Sequence, residues 1–415
     1  MSFIRSRWTP LFLSNFLSVF NDNFLKYAIV FIGISWSMPA WLTRSQLISA
    51  VSASLIIPYL FLSPLGGRLA VIYSKKSVYR FFKLLEIPIM LLASIAFYFQ
   101  WVFLAVFAVL LMGIQSCLYS PSKYSLIRDI GGEAGVSFGS GVFEMMAFLG
   151  ILTATVSASL VSDDHLSWIV YLVFLGVALL GYMVTRTIHA NELPENKENT
   201  GTLNPILFLV ASFRFARQHE NVNAAVFGAS TFWLIGGMLQ MNVVVHAKEF
   251  YRVSDSLTGV VMAVAAIGIA LGTWMAGKAS KNEVKKGLIL PGISGMSLVF
   301  AVLTFVNVPF WLFTGLVFGA AFFGGFFQIP CLSMLQQAPI GRKLGEMIAY
   351  LNLVTFIFIL LGTFIFSLTT QFTGENSFAV FGVIFSICLS VTFFFTLKSP
   401  DFRRDTFNLI SGKKR

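Results

Sequence analysis

Charge is what this chain has least of: only 11 % of its 415 residues are Asp, Glu, Lys or Arg, against roughly 25 % in an ordinary soluble domain. That scarcity excludes a soluble globular surface. Its cysteines, Cys117, Cys331 and Cys388, are odd in number, far apart and set inside apolar stretches, so no disulfide framework is expected. The four histidines are scattered without ligand spacing, and no metal site is expected. There is no G-x-x-x-x-G-K-[ST] loop, and the hydrophilic stretches are too short for an ATPase domain. No H-E-x-x-H pair occurs, and neither an enzyme nor a bound cofactor is expected.

What the chain has in abundance is long apolar runs, with 57 % hydrophobic residues overall. The runs recur at the roughly 20 residues that a helix needs to cross a bilayer, without the ten-residue alternation of a membrane barrel. The expectation is an all-α integral membrane protein of about twelve transmembrane helices. They begin near residues 9, 46, 80, 102, 137, 166, 221, 254, 285, 309, 345 and 376. A basic start before an apolar run can mimic a signal peptide, but this run is too long and holds Asp22 and Lys26. It is read as the first helix.

The net charge of +11 does not form a contiguous stripe, so no nucleic-acid partner is expected. Basic residues fall in alternate loops: Arg5 and Arg7, Arg68 to Lys83, Arg186 to Arg217, Lys278 to Lys286, Arg342 and Lys343, and the tail Lys398 to Arg415. The opposite loops hold Arg44, Lys248 and Arg252 against Asp163, Asp164, Glu249, Asp255 and Glu375. The positive-inside rule puts the basic side, and with it both termini, in the cytoplasm.

The longest hydrophilic interval, 187–220, divides the chain. The expected organisation is an N-terminal six-helix half (1–186), a cytoplasmic linker (187–220), a C-terminal six-helix half (221–397) and a basic cytoplasmic tail (398–415). Within the linker, Pro205 to Arg217 suits a short helix at the membrane interface, or else simply starts the seventh helix. A weak repeat supports the two halves. Pro121 precedes Glu144 by 23 residues and Pro330 precedes Asn352 by 22. Each interval holds a short turn, Arg128 to Gly132 and Gly341 to Gly345. Parallel six-helix halves joined by a cytoplasmic linker are the layout of the major facilitator superfamily.

A charge in mid-membrane costs a few kcal/mol and marks a functional candidate. Asp22 lies in the middle of the first span, and Asn15, Ser18, Asp22 and Lys26 share one face of it. This polar stripe either contacts a charged or zwitterionic headgroup or carries a coupling proton, or else Asp22 and Lys26 pair at i, i+4 and only hold the helix in place. On the fourth helix Ser116, Ser120 and Lys123 share a face, Tyr119 and Pro121 lie beside them, and Lys123 is placed to grip a phosphate. Glu144, two turns into the fifth helix, is its nearest candidate counter-charge. In the second half Gln240, Asn242, Gln328 and Asn352 are polar but uncharged, and such residues also glue helices together. Glu86 is expected to pair with Lys83 in a structural role.

The motifs Phe20-Asn21-Asp22-Asn23, Tyr119-Ser120-Pro121-Ser122-Lys123-Tyr124 and Ser140-Gly141-Val142-Phe143-Glu144 resemble three patterns of the bacterial lysophospholipid transporters, a branch of the same superfamily. These are F-x-D-N, Y-S-P-A-K-Y and N-G-x-x-E. The resemblance implies an alternating-access carrier taking lysophospholipids from the outer to the inner leaflet of the bacterial inner membrane, where a separate acyltransferase would reacylate them. Asp22, Lys123 and Glu144 would form its charged centre, and substrate and membrane lipid would be its small-molecule partners. Three positions depart from the family. Val71 replaces the acid of the loop motif G-x-x-x-D-R-x-G-R-[RK] that begins at Gly67, so a weaker conformational latch is expected. Gln240 stands where an arginine is expected, and Ser140 replaces Asn. The competing readings are a proton-coupled exporter of amphipathic small molecules and a non-transporting scaffold.

Overall fold

The computed structural model describes residues 2–39, 41–163, 167–197, 201–280, 283–374, 376–398 and 400–411. Asp164, Glu375 and the last four residues of the basic tail lie outside the described residues. The helices are α1 (Ser2–Phe31), α2 (Arg44–Ile72), α3 (Lys75–Tyr98), α4 (Val102–Asp163), α5 (Ser167–Arg186), α6 (Pro205–Arg217) and α7 (Val222–Val245). They continue with α8 (Asp255–Ser280), α9 (Ile289–Phe305), α10 (Phe310–Gln337), α11 (Leu344–Thr373), α12 (Ser377–Lys398) and α13 (Pro400–Ser411).

Among the described residues, ten helices are long and apolar enough to cross a membrane. α1 falls short of that measure because Asn15, Asn21, Asp22, Asn23 and Lys26 lower its hydropathy, although its 30 residues are ample in length. α4 is 62 residues long and non-helical only at Gly132, where φ is 60° and ψ is −170°. A bilayer core of about 30 Å takes roughly 20 helical residues, so α4 holds two spans, and Gly132 is the break between them. Sequence reading expected a turn over Arg128 to Gly132. One glycine in a conformation closed to L side chains suffices. Counting α1 and the two arms of α4 separately, the spans agree with the expected twelve. Gly341, before α11, also has positive φ, at 56°. Pro121 and Gly132 are separated by the same interval as Pro330 and Gly341.

The helix starts carry local signals. Thr43 and Gln46 form a capping box at α2, with Thr43 N donating to Gln46 Oε1 at 2.8 Å and Gln46 N to Thr43 Oγ1 at 3.2 Å. Ser74 caps α3.

The chain divides into two compact units. The first comprises 1–130, 149–215 and 339–353; the second comprises 131–148, 216–338 and 354–415. In the first, α5 packs on α1 and α3. Its core includes Phe24, Trp36, Phe97 and Phe174, whose rings meet edge to face at centroid distances from 4.8 to 5.5 Å. In the second, α10 packs against α7, α8 and α9, and α12 against α7 and α9. There His246 shares a hydrogen bond with Ser377 Oγ at 2.8 Å, and the rings of Phe250, Tyr251, Phe313, Phe378 and Phe381 surround it. The middle of α13 is anchored where Thr406 Oγ1 donates to the Gly287 carbonyl at 3.1 Å.

Candidate functional site

In the first unit, α1, α3 and α4 bring a set of polar groups together inside an apolar wall. Ser116 Oγ donates to Asp22 Oδ2 at 2.8 Å. The other oxygen, Asp22 Oδ1, is buried and has no hydrogen-bond partner in the protein. A buried unpaired acceptor costs about 1–3 kcal/mol. Asp22 does not pair with Lys26, whose ammonium instead lies 5.1 Å from the centroid of the Tyr27 ring. The charged groups near enough to act on Asp22 are Glu86, Lys123 and Lys83.

One residue earlier on α1, Asn21 Nδ2 donates to Glu86 Oε1 at 2.7 Å. The second Glu86 oxygen receives the Lys83 ammonium, and Gln115 Nε2 lies 3.4 Å from it while donating to the Phe82 carbonyl at 2.9 Å. Lys83 and Glu86 are both 0 % exposed, so their pairing is what makes burial of either tolerable. Lys83 reaches its place across Gly181 of α5, where an added Cβ would stand 2.8 Å from both Cε and Nζ. The expected Lys83–Glu86 pair is therefore present, but it forms one network with the Asn21 neighbour of Asp22. Asn21 and Gln115 belong to the site and were not among its expected residues. Their only sequence signal was an amide next to a singled-out residue.

A second chain of contacts leads to Lys123. Ser14 and Tyr79 hydroxyls share a hydrogen bond of 2.6 Å, and Tyr79 stacks on Tyr119 at 5.2 Å. Lys123 lies 5.2 Å from the Tyr119 ring centroid and 5.7 Å from that of Tyr124, within cation–π range. Ser120 Oγ accepts from Asn352 Nδ2 at 3.0 Å.

The remaining expected residues are placed as follows. Asn15 and Ser18 are buried on α1, with Ser18 Oγ donating to the Ser14 carbonyl at 2.8 Å. Asp22, Lys123 and Asn352 belong to the first unit, whereas Glu144, also buried, belongs to the second. Ser140 Oγ there donates to Gln336 Oε1 at 3.2 Å. Gln240 is exposed on α7. Asn242 is buried and donates to the Ser377 carbonyl at 3.0 Å, and Gln328 is buried on α10.

The corner around Val71 is built on Arg342 and Glu192. Arg342 donates from Nε to the Val71 carbonyl at 3.1 Å, from Nη1 to the Leu193 carbonyl at 2.7 Å, and from Nη2 to the Tyr73 carbonyl. Glu192 supplies a carboxylate. It accepts from the backbone N–H of Lys75 at 2.6 Å, that of Lys76 at 3.1 Å and Ser74 Oγ at 3.0 Å, and lies 3.6 Å from Arg342 Nη1. An anion at a helix N-terminus is stabilised by the free N–H groups and the dipole. Lys75 in turn pairs with Asp129 at 2.7 Å.

The Major Facilitator Superfamily profile matches residues 11–363. The chain belongs to this superfamily. It is similar to the lysophospholipid transporter LplT of Escherichia fergusonii, 27 % identical over 352 residues that cover 82 % of this chain and 83 % of that protein. The LplT of Photorhabdus laumondii is 27 % identical over 370 residues, covering 86 % and 87 %, and that of Enterobacter sp. strain 638 is 25 % identical over 391 residues, covering 91 % and 92 %. Among solved structures, the human organic anion transporter MFSD10 (TETRAN) has a TM-score of 0.74 at 13 % identity, covering 94 % of this chain and 99 % of its own. The transporter FucP in its outward conformation has a TM-score of 0.73 at 12 % identity, covering 93 % and 98 %. These structures share the superfamily fold.

Proposed function

We propose that this membrane protein is an alternating-access carrier that moves lysophospholipids from the outer to the inner leaflet of the bacterial inner membrane. Residues 1–186 and 221–397 act as its two six-helix halves, 187–220 as the cytoplasmic linker, and 398–415 as a cytoplasmic tail. The observation that carries the reading is Asp22. Its carboxylate sits in mid-span with one oxygen held by Ser116 and the other buried without a protein partner. A group kept at such a cost is suited to a ligand that brings its own donor, and the ammonium of an ethanolamine headgroup is one. Lys123, on the same α4 face as Ser116, takes the phosphate. Similarity to three lysophospholipid transporters along most of their length supports the substrate class. Gln240 stands in for a cation that the family carries. A separate acyltransferase on the cytoplasmic side consumes the delivered lipid.

The test is uptake of labelled lysophosphatidylethanolamine into spheroplasts that express the chain together with a cytoplasmic acyltransferase. Wild type should accumulate reacylated lipid, and Asp22→Asn and Lys123→Ala, at matched expression, should each lose most of it. No uptake by wild type overturns the substrate assignment and favours export of another amphipathic molecule.

A further inference from the structure

A cavity of ≈ 300 Å³ opens between α2, α6 and the start of α11, and it shares no residue with the Asp22 and Lys123 site. Arg68 of α2 and Lys343 and Glu346 at the head of α11 line it, together with Phe208, Ser212 and Phe215 of α6. Two cations against one carboxylate leave one net positive charge. The Lys343 ammonium lies 4.6 Å from the centroid of the Phe215 ring, which holds it beside α6.

α6 has two apolar faces. Phe208 and Ser212 point inward and are 6 % and 5 % exposed. On the opposite side Ile206, Val210 and Phe213 follow helical spacing and are 72 %, 42 % and 50 % exposed, with Leu207 beside them at 59 %. Arg214 and Arg217 are also exposed, near the end of the helix. A short helix with an apolar outer face and basic residues at one end lies at the headgroup boundary of a membrane.

We propose that this cavity binds the phosphodiester of an anionic glycerophospholipid, with the acyl chains laid along the outer face of α6. The volume decides how much of the lipid enters: it is at the lower end of small-molecule pockets, roughly 300–1,000 Å³, so it takes a headgroup and not two acyl tails. The tails then need an apolar surface immediately outside, and α6 presents one. A phosphodiester carries a single negative charge, matching the net charge of the lining. Arg68 offers a planar fork to two phosphate oxygens, Lys343 a point charge, and Ser212 a hydroxyl donor.

The experiment uses the purified full-length protein in detergent, titrated with fluorescent phosphatidylglycerol, with phosphatidylcholine and inorganic phosphate as competitors. Wild type should bind phosphatidylglycerol, and phosphatidylcholine at equal concentration should not displace it. Arg68→Gln/Lys343→Gln should weaken binding by about tenfold or more, with Arg68→Lys in between. Should the double variant fail to fold, Ile206→Ser/Phe213→Ser, which changes only exposed side chains, supplies the test. It should weaken the long-chain lipid and leave dihexanoyl phosphatidylglycerol unaffected. Equal affinity for the two headgroups, displacement by inorganic phosphate at lipid concentrations, or unchanged binding in these variants would each overturn the proposal. Asp22→Asn should leave this titration unchanged, which separates the site from the transport centre.

Discussion

Arg342 Nε donates to the backbone carbonyl of Val71 at 3.1 Å, across a sequence separation of 271 residues. The Val71 side chain is apolar, and the guanidinium bonds the main chain there. The carboxylate of the corner comes from Glu192, which also caps α3. The corner is thus charged although Val71 is not.

Glu192→Gln should loosen this corner. The side chain keeps its size but loses the charge that holds the Lys75 and Lys76 N–H groups and pairs with Arg342. Charge-assisted hydrogen bonds of this kind contribute about 1.5–3 kcal/mol each, so the amides of residues 74–77 should exchange with deuterium at least tenfold faster. Unchanged exchange would mean that the three Arg342 bonds to carbonyls hold the corner alone.

Lys83→Met should destabilise the protein by about 3–5 kcal/mol, because Glu86 would be left charged and buried without its partner. Lys83→Met/Glu86→Gln should recover most of that loss, since a neutral amide can still accept from Asn21. Thermal unfolding in detergent compares the two. A double variant no better than the single one would show that Glu86 does not depend on Lys83.

Gly181→Ala should displace the Lys83 ammonium from Glu86, since the added methyl would stand 2.8 Å from Nζ. Overpacking of this kind costs about 1–3 kcal/mol. On the background of Lys83→Met/Glu86→Gln, the same alanine should cost less, because no ion pair remains to be broken. Equal costs on both backgrounds would contradict the crossing of Lys83 over Gly181.

Ser116→Ala should leave both Asp22 oxygens without a protein donor. Under the proposed function, substrate binding then depends on a carboxylate that is no longer oriented, and half-saturation for lysophosphatidylethanolamine should rise by about tenfold to a hundredfold, one neutral-to-charged hydrogen bond's worth. Maximal uptake should change less. A fall in maximal uptake without a change in half-saturation would place Ser116 in the conformational step instead.

Gly132→Ala should lower the unfolding temperature. The position has φ 60° and ψ −170° with nothing within 4 Å of an added Cβ, so the whole cost is backbone strain, about 1–3 kcal/mol. An unchanged unfolding temperature would show that the helical arms on either side tolerate a different break.

Much of the fold is legible in the chain itself because it depends on local windows. Each apolar run is judged against the thickness of a bilayer, and each basic loop against its neighbours, without knowledge of what packs on what. The first span was legible even though α1 is too polar to pass a hydropathy measure, because Asp22 and Lys26 interrupt an otherwise continuous run. The break at Gly132 was placed to within a few residues by its glycines, though not its form, since a single non-helical residue leaves no polar gap. At the site, Asp22 and Lys123 stood out by their charge alone. Asn21 and Gln115 did not, because an amide in an apolar helix reads the same whether it holds two helices together or serves a buried carboxylate.

By itself, then, the sequence determined that this is a multi-pass helical membrane protein, where its spans run, and which side chains are too costly in lipid to be incidental. Only the tertiary structure decided the partners: Ser116 rather than Lys26 for Asp22, Asn21 as well as Lys83 for Glu86, and Glu192 and Arg342 at Val71. Burial of a charge is read from a window of about twenty residues, whereas its partner depends on how each helix is rotated about its axis and on residues as far as 65, 94 or 271 positions away. Rotation and distant packing are set by the whole assembled core, and no local window contains them.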